Sequence, residues 1–219
     1  MKHLIISFFF LLLIIGSHIT SGQDLYIKNV NLLQVEKGYF EPNKYVLLKE
    51  GKIAAIENSE INVESHISIV DGEGKYLFPG LFDMHAHFGQ PSWVPMYLHY
   101  GVTGIRVMAG NDQLLTLQDS LLKSGDPQPT LFIVSPLIDG APPLWGDQHT
   151  EATIMHDTEI RPILERNMSK GYKELKIYNR IPEAKYLEIL AFAQGYGMRV
   201  SGHLPYKLSV SNFGDKRHQ

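Results

Sequence analysis

From Pro79 onward, short apolar runs alternate with longer amphipathic segments, and that rhythm leaves few folds open to the chain. The runs GLFDMHAHF, TGIRVMAG, TLFIVSP, ELKIYN and MRVSGHLP have the length and apolar character of buried strands. Between them lie WVPMYLHYG, DQLLTLQDSLLKSGD, TEIRPILERNMSKGY and PEAKYLEILAFAQGYG. The last two place apolar residues at helical spacing and end in glycine, which takes the left-handed conformation that closes a helix. Strands joined through helices run parallel, because the crossover returns the chain to the end from which it started. The expected architecture is therefore α/β, with a parallel sheet either open or closed into a barrel.

Asp24 to Phe78 reads differently. LYIKNVNLLQ and YVLLKEGKIAAI combine β-formers with alternation, and Glu50-Gly51 is placed to make a hairpin turn. SIVDGEGKYLF adds a strand, a glycine-rich turn and another strand. Residues 23–78 thus read as a small β-rich subdomain. Ahead of them, MKHLIISFFFLLLIIGSHITSGQ sets basic Lys2 before an apolar run from Leu4 to Ile15 and then small, polar residues. That is the layout of a secretory signal peptide, here residues 1–22, with cleavage expected between Ser17 and Gln23. The run is shorter than the roughly 20 apolar residues of a spanning helix, so no stable membrane anchor is expected after cleavage. The expected location is periplasmic or extracellular.

A net charge of −3 without a basic stripe argues against nucleic acid as a partner. The absence of cysteine excludes disulfides, thiolate metal sites and cysteine nucleophiles together. Any metal site has to be built from imidazoles and oxygen or amine-derived donors.

FPGLFDMHAHF offers two such imidazoles. Alternation along a strand places Asp83, His85 and His87 on one side and Met84, Ala86 and Phe88 on the other. Two imidazoles so placed can reach one cation at about 2.0–2.1 Å. By themselves they also suit two polar residues at a strand end. The wider motif narrows the choice: GKYLFPGLFDMHAHF resembles the opening strand of the amidohydrolase superfamily, where a Pro-Gly-Leu/Phe-Asp-x-His-x-His run begins a metal-binding (β/α)8 barrel. LLKEGKIAAIE and IVDGEGKYLFPG resemble that family's N-terminal β-sandwich, and YGVTGIRVM resembles its second barrel strand. SPLIDGAPPLWG is similar to the third strand and its loop in the imidazolonepropionase- and prolidase-like branch. The likeness runs from about Leu25 to Pro205.

The resemblance implies an α/β fold: the N-terminal part of a (β/α)8, TIM-like metallohydrolase barrel over residues 79–219, of about five βα units, preceded by a small β-sandwich subdomain. It implies metal ligation by His85, His87 and His203, and by Lys176 after reaction with carbon dioxide to a carbamate bridging two ions. Burial beside cations favours the neutral amine that this reaction needs. Alternation sets Glu174, Lys176 and Tyr178 on one face, which disfavours Lys173 as the reacting lysine. The implied cofactors are one or two divalent ions, zinc foremost. The implied chemistry is hydrolysis of an amide or other C–N bond in a small molecule or dipeptide by metal-activated water. Trp145 and Tyr178 are the candidate substrate contacts, with Phe88, Trp93 and Pro142 as further candidates for an apolar lining. His66, His99, His149 and His156 match no ligand position.

The family pattern also calls for a histidine after strand six and a general-base aspartate after strand eight. Neither is located here. Beyond His203 only Asp215 and His218 have suitable side chains, and SVSNFGDKRHQ offers no apolar strand to carry them. The expectation is a chain matching the N-terminal part of the enzyme, with little hydrolase activity by itself. The alternative is an exported, catalytically inactive fragment that binds metal or forms one half of a split enzyme; a homo-oligomer and a complementing C-terminal half are both open as partners. An open doubly wound binding protein fits less well, since no glycine-rich phosphate loop is present.

Overall fold

The structure, a computed structural model, describes residues 23–87, 90–146 and 152–208. The signal sequence expected over residues 1–22, and Phe88, His149, Asp215 and His218, lie outside the described residues. The chain divides into two compact units, one up to Pro79 and one from Gly80.

The first unit is a five-stranded sheet of order β3-β2-β1-β4, with β5 also on β1. Its strands are β1 (Leu25–Gln34), β2 (Tyr39–Lys49), β3 (Lys52–Glu57), β4 (Ser68–Asp71) and β5 (Tyr76–Leu77). Glu50 and Gly51, with φ of 51° and 72°, turn β2 back into antiparallel β3 as the tight hairpin read from sequence. SIVDGEGKYLF does not fold on itself: β4 and β5 both run parallel to β1, meeting it at Leu25↔Ser68 and Asn31↔Tyr76. Between them Gly72 passes so close to β1 that a Cβ would stand 2.3 Å from Val30 Cγ1. Tyr26, Val30, Val46 and Ile67 form the buried centre, and the Tyr26 hydroxyl accepts the Ile61 N–H at 3.0 Å.

The second unit alternates strand and helix as its periodicity predicts. It runs β6 (Leu81–Ala86), α1 (Val94–His99), β7 (Val102–Val107), α2 (Asp112–Ser124), β8 (Thr130–Ile133), β9 (Leu137–Gly140), β10 (Ala152–Ile154), α3 (Arg161–Ser169), β11 (Glu174–Ile177), α4 (Glu183–Gly195) and β12 (Arg199–Gly202). Asn111 caps α2 by accepting the Leu114 N–H at 2.9 Å. Gly125, Gly171 and Gly197 follow α2, α3 and α4 with φ of 73°, 95° and 65°.

Among the described residues of this unit all strand pairings are parallel, in two ladders, β6-β7-β8 and β10-β9-β11-β12. The ladders are joined by one continuous run, TLFIVSPLIDG, which supplies both β8 and β9. Pro136 cannot donate to a ladder and marks the break. Just before it the chain changes partner: Val134 N–H bonds to Val107 at 3.0 Å, then Ser135 N–H bonds to Glu174 at 2.9 Å. Counted this way, β6, β7, β8/β9, β11 and β12 are five successive parallel strands with helices between them, the wall of a partial (β/α)8 barrel.

The helices cover the outer face. Leu175 and Ile177 of β11 are buried with Leu164 of α3 and Tyr186 and Ile189 of α4. Ile105, Val107, Leu131 and Ile133 are buried with Leu114 of α2. Each such side chain contributes about 1.5–3 kcal/mol on leaving water. The inner face of β11 carries Glu174 and Lys176 instead, and all four residues of the strand are buried. Elsewhere on that inner face Phe82, Met84 and Phe132 remain 58%, 57% and 43% exposed, with the two phenyl rings 6.1 Å apart.

Candidate metal centre and its cavity

The candidate donors converge at the C-terminal ends of the inner strands, where barrel enzymes carry their sites. His85 and His87 come from the end of β6, Lys176 from β11 and His203 from just beyond β12. The two β6 imidazoles have ring centroids 5.2 Å apart. His203 stacks obliquely on Tyr178 at 4.1 Å, and the Lys176 ammonium lies 5.9 Å from the centre of the same ring. His87, Lys176, Tyr178 and His203 line a cavity of about 960 Å³, together with Trp145 and the first turn of α2. Trp93 and Pro142 do not line it; Trp93 sits in the turn before α1, and the Pro142 carbonyl accepts a hydrogen bond from Arg180.

One detail of β6 departs from the sequence reading. Asp83 lies opposite Ile105 and Ala86 opposite Val107, so three steps on β6 match two on β7. This is a β-bulge, which inserts one residue and re-aims the side chains after it. Asp83 therefore shares the helix-facing side with Ala86, not the side of His85, as plain alternation had placed it. There its charge adds to burial in raising the Tyr97 hydroxyl pKa. The Asp83 carboxylate also accepts the His85 N–H at 3.1 Å, which fastens the bulge and the start of the histidine pair.

Lys176 is 1% exposed, and among the described residues its ammonium has no hydrogen-bond or ion-pair partner. Burial, and then the Arg106 charge, lower its pKa, with Glu174 opposing. Burial and the Lys176 charge likewise lower the pKa of His85 and of His203, and the His85 charge lowers that of His203 further. These effects place Lys176 within electrostatic reach of both histidines, and His85 within reach of His203; neutral imidazoles are the form that binds metal.

The sign of the resulting pH dependence follows. Below the ordinary histidine pKa of 6.5 the unfolded chain protonates these residues more readily than the folded one. Stability of the metal-free chain therefore falls as pH drops from about 7 towards the lower folded-state values. Urea unfolding across that range is expected to show the loss, and the His85→Asn/His203→Asn double variant to flatten it. A double variant as steep as the parent would contradict the assignment.

Among the described residues no three histidine or carboxylate groups stand together as a ready-made cage. Beside these imidazoles a Lys176 ammonium would repel a cation, whereas the neutral amine that burial favours would not.

Some of the site has no counterpart in the sequence reading. Asp139, fully buried at the end of β9, accepts the backbone N–H groups of Gly140, Leu144 and Arg180, each at 2.8 Å. It thereby fastens the loop after β9 to the loop after β11. A Cβ on Gly140 would stand 1.7 Å from the Arg180 carbonyl, so the two backbones touch. Across this joint the Trp145 indole donates to the Tyr178 hydroxyl at 2.8 Å, making one aromatic wall of the cavity. Asp139-Gly140 at the end of the apolar run PLIDG was the available signal. On the opposite side Ala109 lines the cavity with φ of 140°, a strained conformation for a residue with a Cβ.

A parallel α/β wall with helices outside and a cavity at its strand ends is the architecture of a (β/α)8 barrel. Comparison with known proteins agrees. No protein-family model matches the chain. The dihydroorotase of Carboxydothermus hydrogenoformans is 38% identical over 95 residues, a match covering 39% of this chain and 21% of that enzyme. A prolidase solved with N-methylphosphonate-L-proline superposes with a TM-score of 0.69 at 15% identity, covering 83% of this chain and 56% of that one. Bottromycin amidohydrolase gives a TM-score of 0.68 at 19% identity, covering 84% and 40% respectively. The chain is thus similar over part of its length to the dihydroorotase and shares the fold of the solved prolidase and amidohydrolase. It spans about half the length of the solved relatives, and the match to the dihydroorotase spans about a fifth of that enzyme.

Proposed function

We propose that the complete protein is a metal-dependent hydrolase of an amide or other C–N bond in a small molecule, with His85, His87, His203 and carbamylated Lys176 as metal ligands. The observation that carries this reading is the buried Lys176 amine at the C-terminal end of an inner strand, without a hydrogen-bond or ion-pair partner among the described residues and within reach of two imidazoles whose pKa values are lowered. In the neutral form that amine adds to carbon dioxide, an N–C bond forms and one proton leaves to solvent. When bound, a divalent ion such as zinc supplies a water acidified to a pKa of about 7 and a Lewis acid for the scissile carbonyl.

The chain's own residues do the rest. His85 is held by the bulge through Asp83, and burial favours its neutral imidazole. Trp145 and Tyr178 offer a flat apolar face for the substrate, and the Tyr178 hydroxyl, accepting from the indole, can donate its own proton to a substrate oxygen. A dipeptide ending in proline or a cyclic amide suits such a face. The run Leu4–Ile15 behind Lys2 supports export to the periplasm or the outside.

Titration of the zinc-loaded chain with N-methylphosphonate-L-proline, followed by Trp145 fluorescence, tests this. Saturable binding that requires zinc and is lost in His85→Ala/His87→Ala is the expected result. Binding that is absent, or equal without zinc, would count against it.

A second reading, one half of a split enzyme, is favoured by the exposed inner side chains of Phe82, Met84 and Phe132, which a barrel interior would normally bury. Co-purification with a polypeptide carrying the remaining barrel strands supports it. A chain that stays monomeric and partnerless in its source cells argues against it.

A further inference from the structure

Beneath the candidate ligands the inner face of the barrel wall carries one large cation that the proposed chemistry does not use. Arg106 of β7 extends across the interior. Its Nε donates to Glu174 Oε2 of β11 at 3.1 Å, and its Nη2 donates to Glu174 Oε1 and to the Ser201 hydroxyl of β12. Its Nη1 reaches the Met84 carbonyl of β6 at 3.5 Å. Ser201 in turn donates to Glu174, and Arg199 lies 3.6 Å from the same carboxylate. Glu174 is only 5% exposed at its side chain and Arg106 21%, so this is a largely desolvated, charge-assisted fork and not a surface ion pair.

What the fork touches is informative. Met84 immediately precedes His85, Glu174 precedes Lys176 by one alternation, and Ser201 precedes His203 by one alternation. Along β11 and β12, residues two apart share a face, and Lys176 stands level with Ser201 in the ladder. One guanidinium therefore reaches three strands at once: the Met84 carbonyl beside His85, and the side chains two residues before Lys176 and His203. Two of those strands, β6 and β12, are not ladder neighbours. A lysine at this position would keep the charge but could not present a rigid planar fork to three partners at once.

We propose that Arg106 is the positioning residue of the metal centre: together with Glu174 and Ser201 it sets the separation of the β6, β11 and β12 donors. It touches neither metal nor substrate and acts through the strands it bridges. The inference rests on the metal reading of His85, Lys176 and His203.

Cobalt(II) titration of the full chain tests it, read by isothermal calorimetry and by the visible cobalt band, which reports ligand geometry. Arg106→Lys keeps the Glu174 pairing. Arg106→Met/Glu174→Gln removes both charges without leaving one buried alone. Leu164→Ala, on the outer face, controls for lost stability. Both fork variants are expected to keep the parent's far-ultraviolet circular dichroism while cobalt affinity falls about 10–100-fold, the cost of losing groups that orient metal ligands. The cobalt band is expected to shift or change intensity in both, and to stay unchanged in Leu164→Ala. Parent-like affinity and spectrum in the fork variants would overturn the proposal while leaving the metal reading intact. Affinity that drops equally in Leu164→Ala would also overturn it, assigning Arg106 a purely structural role. A parent chain that binds no cobalt would overturn the metal reading itself, and this inference with it.

Discussion

Lys176→Met is expected to stabilise the metal-free, bicarbonate-free chain against urea by about 1–4 kcal/mol, the range seen when buried charges give way to well-packed apolar groups. The reason lies in its surroundings. Leu175 and Ile177 point outward into the helix-covered core, while Lys176 points inward at 1% exposure without a hydrogen-bond acceptor or ion-pair partner among the described residues. Burial disfavours its ammonium and the nearby Arg106 charge adds to the cost. Methionine is similar in length, apolar and adaptable, so it fills the same space without desolvating a charge. The same substitution removes the amine that carbamylation needs. A gain in stability coupled to a loss of metal binding is the mark of a residue kept for chemistry. A loss of more than about 1 kcal/mol would instead mark Lys176 as a satisfied structural residue.

The second large effect is on zinc affinity. His85→Ala/His87→Ala removes two imidazoles whose rings lie 5.2 Å apart, and leaves His203 with Lys176. The expected fall in affinity exceeds the about 10–100-fold that follows from losing only a partner that orients a ligand. Both residues sit at the end of β6, and Asp83, which fastens the bulge, is untouched, so the fold is expected to survive. Equal affinity for parent and double variant, measured by competition with a chelator, would remove these histidines from the site.

The fold class was legible because strand and helix periods differ, and the runs after Pro79 switch cleanly between them. The hairpin at Glu50-Gly51 and the glycines after the helices were legible because left-handed positions select their residues. The candidate donors His85, His87, Lys176 and His203 were proposed from motif order at strand ends, and His87, Lys176 and His203 line one cavity.

What was hidden depends on pairing between distant parts of the chain. The bulge that turns Asp83 away from His85 is a property of the β6–β7 register, which alternation within β6 cannot reveal. The change of partner at Ser135 is set by β11, far along the chain. Arg106 and Glu174 are 68 residues apart and meet only because the wall curves. Their signal was a charged residue within an otherwise apolar strand, TGIRVM, which a barrel interior tolerates only when a partner answers it.

The central claim is that the ends of β6, β11 and β12 form one metal centre. Anomalous diffraction at the zinc absorption edge, from crystals of the zinc-loaded chain grown with bicarbonate, tests it most directly. The account predicts anomalous density bounded by His85, His87, His203 and an elongated Lys176 side chain. Zinc found only at exposed imidazoles such as His66, with none among these residues, would contradict it.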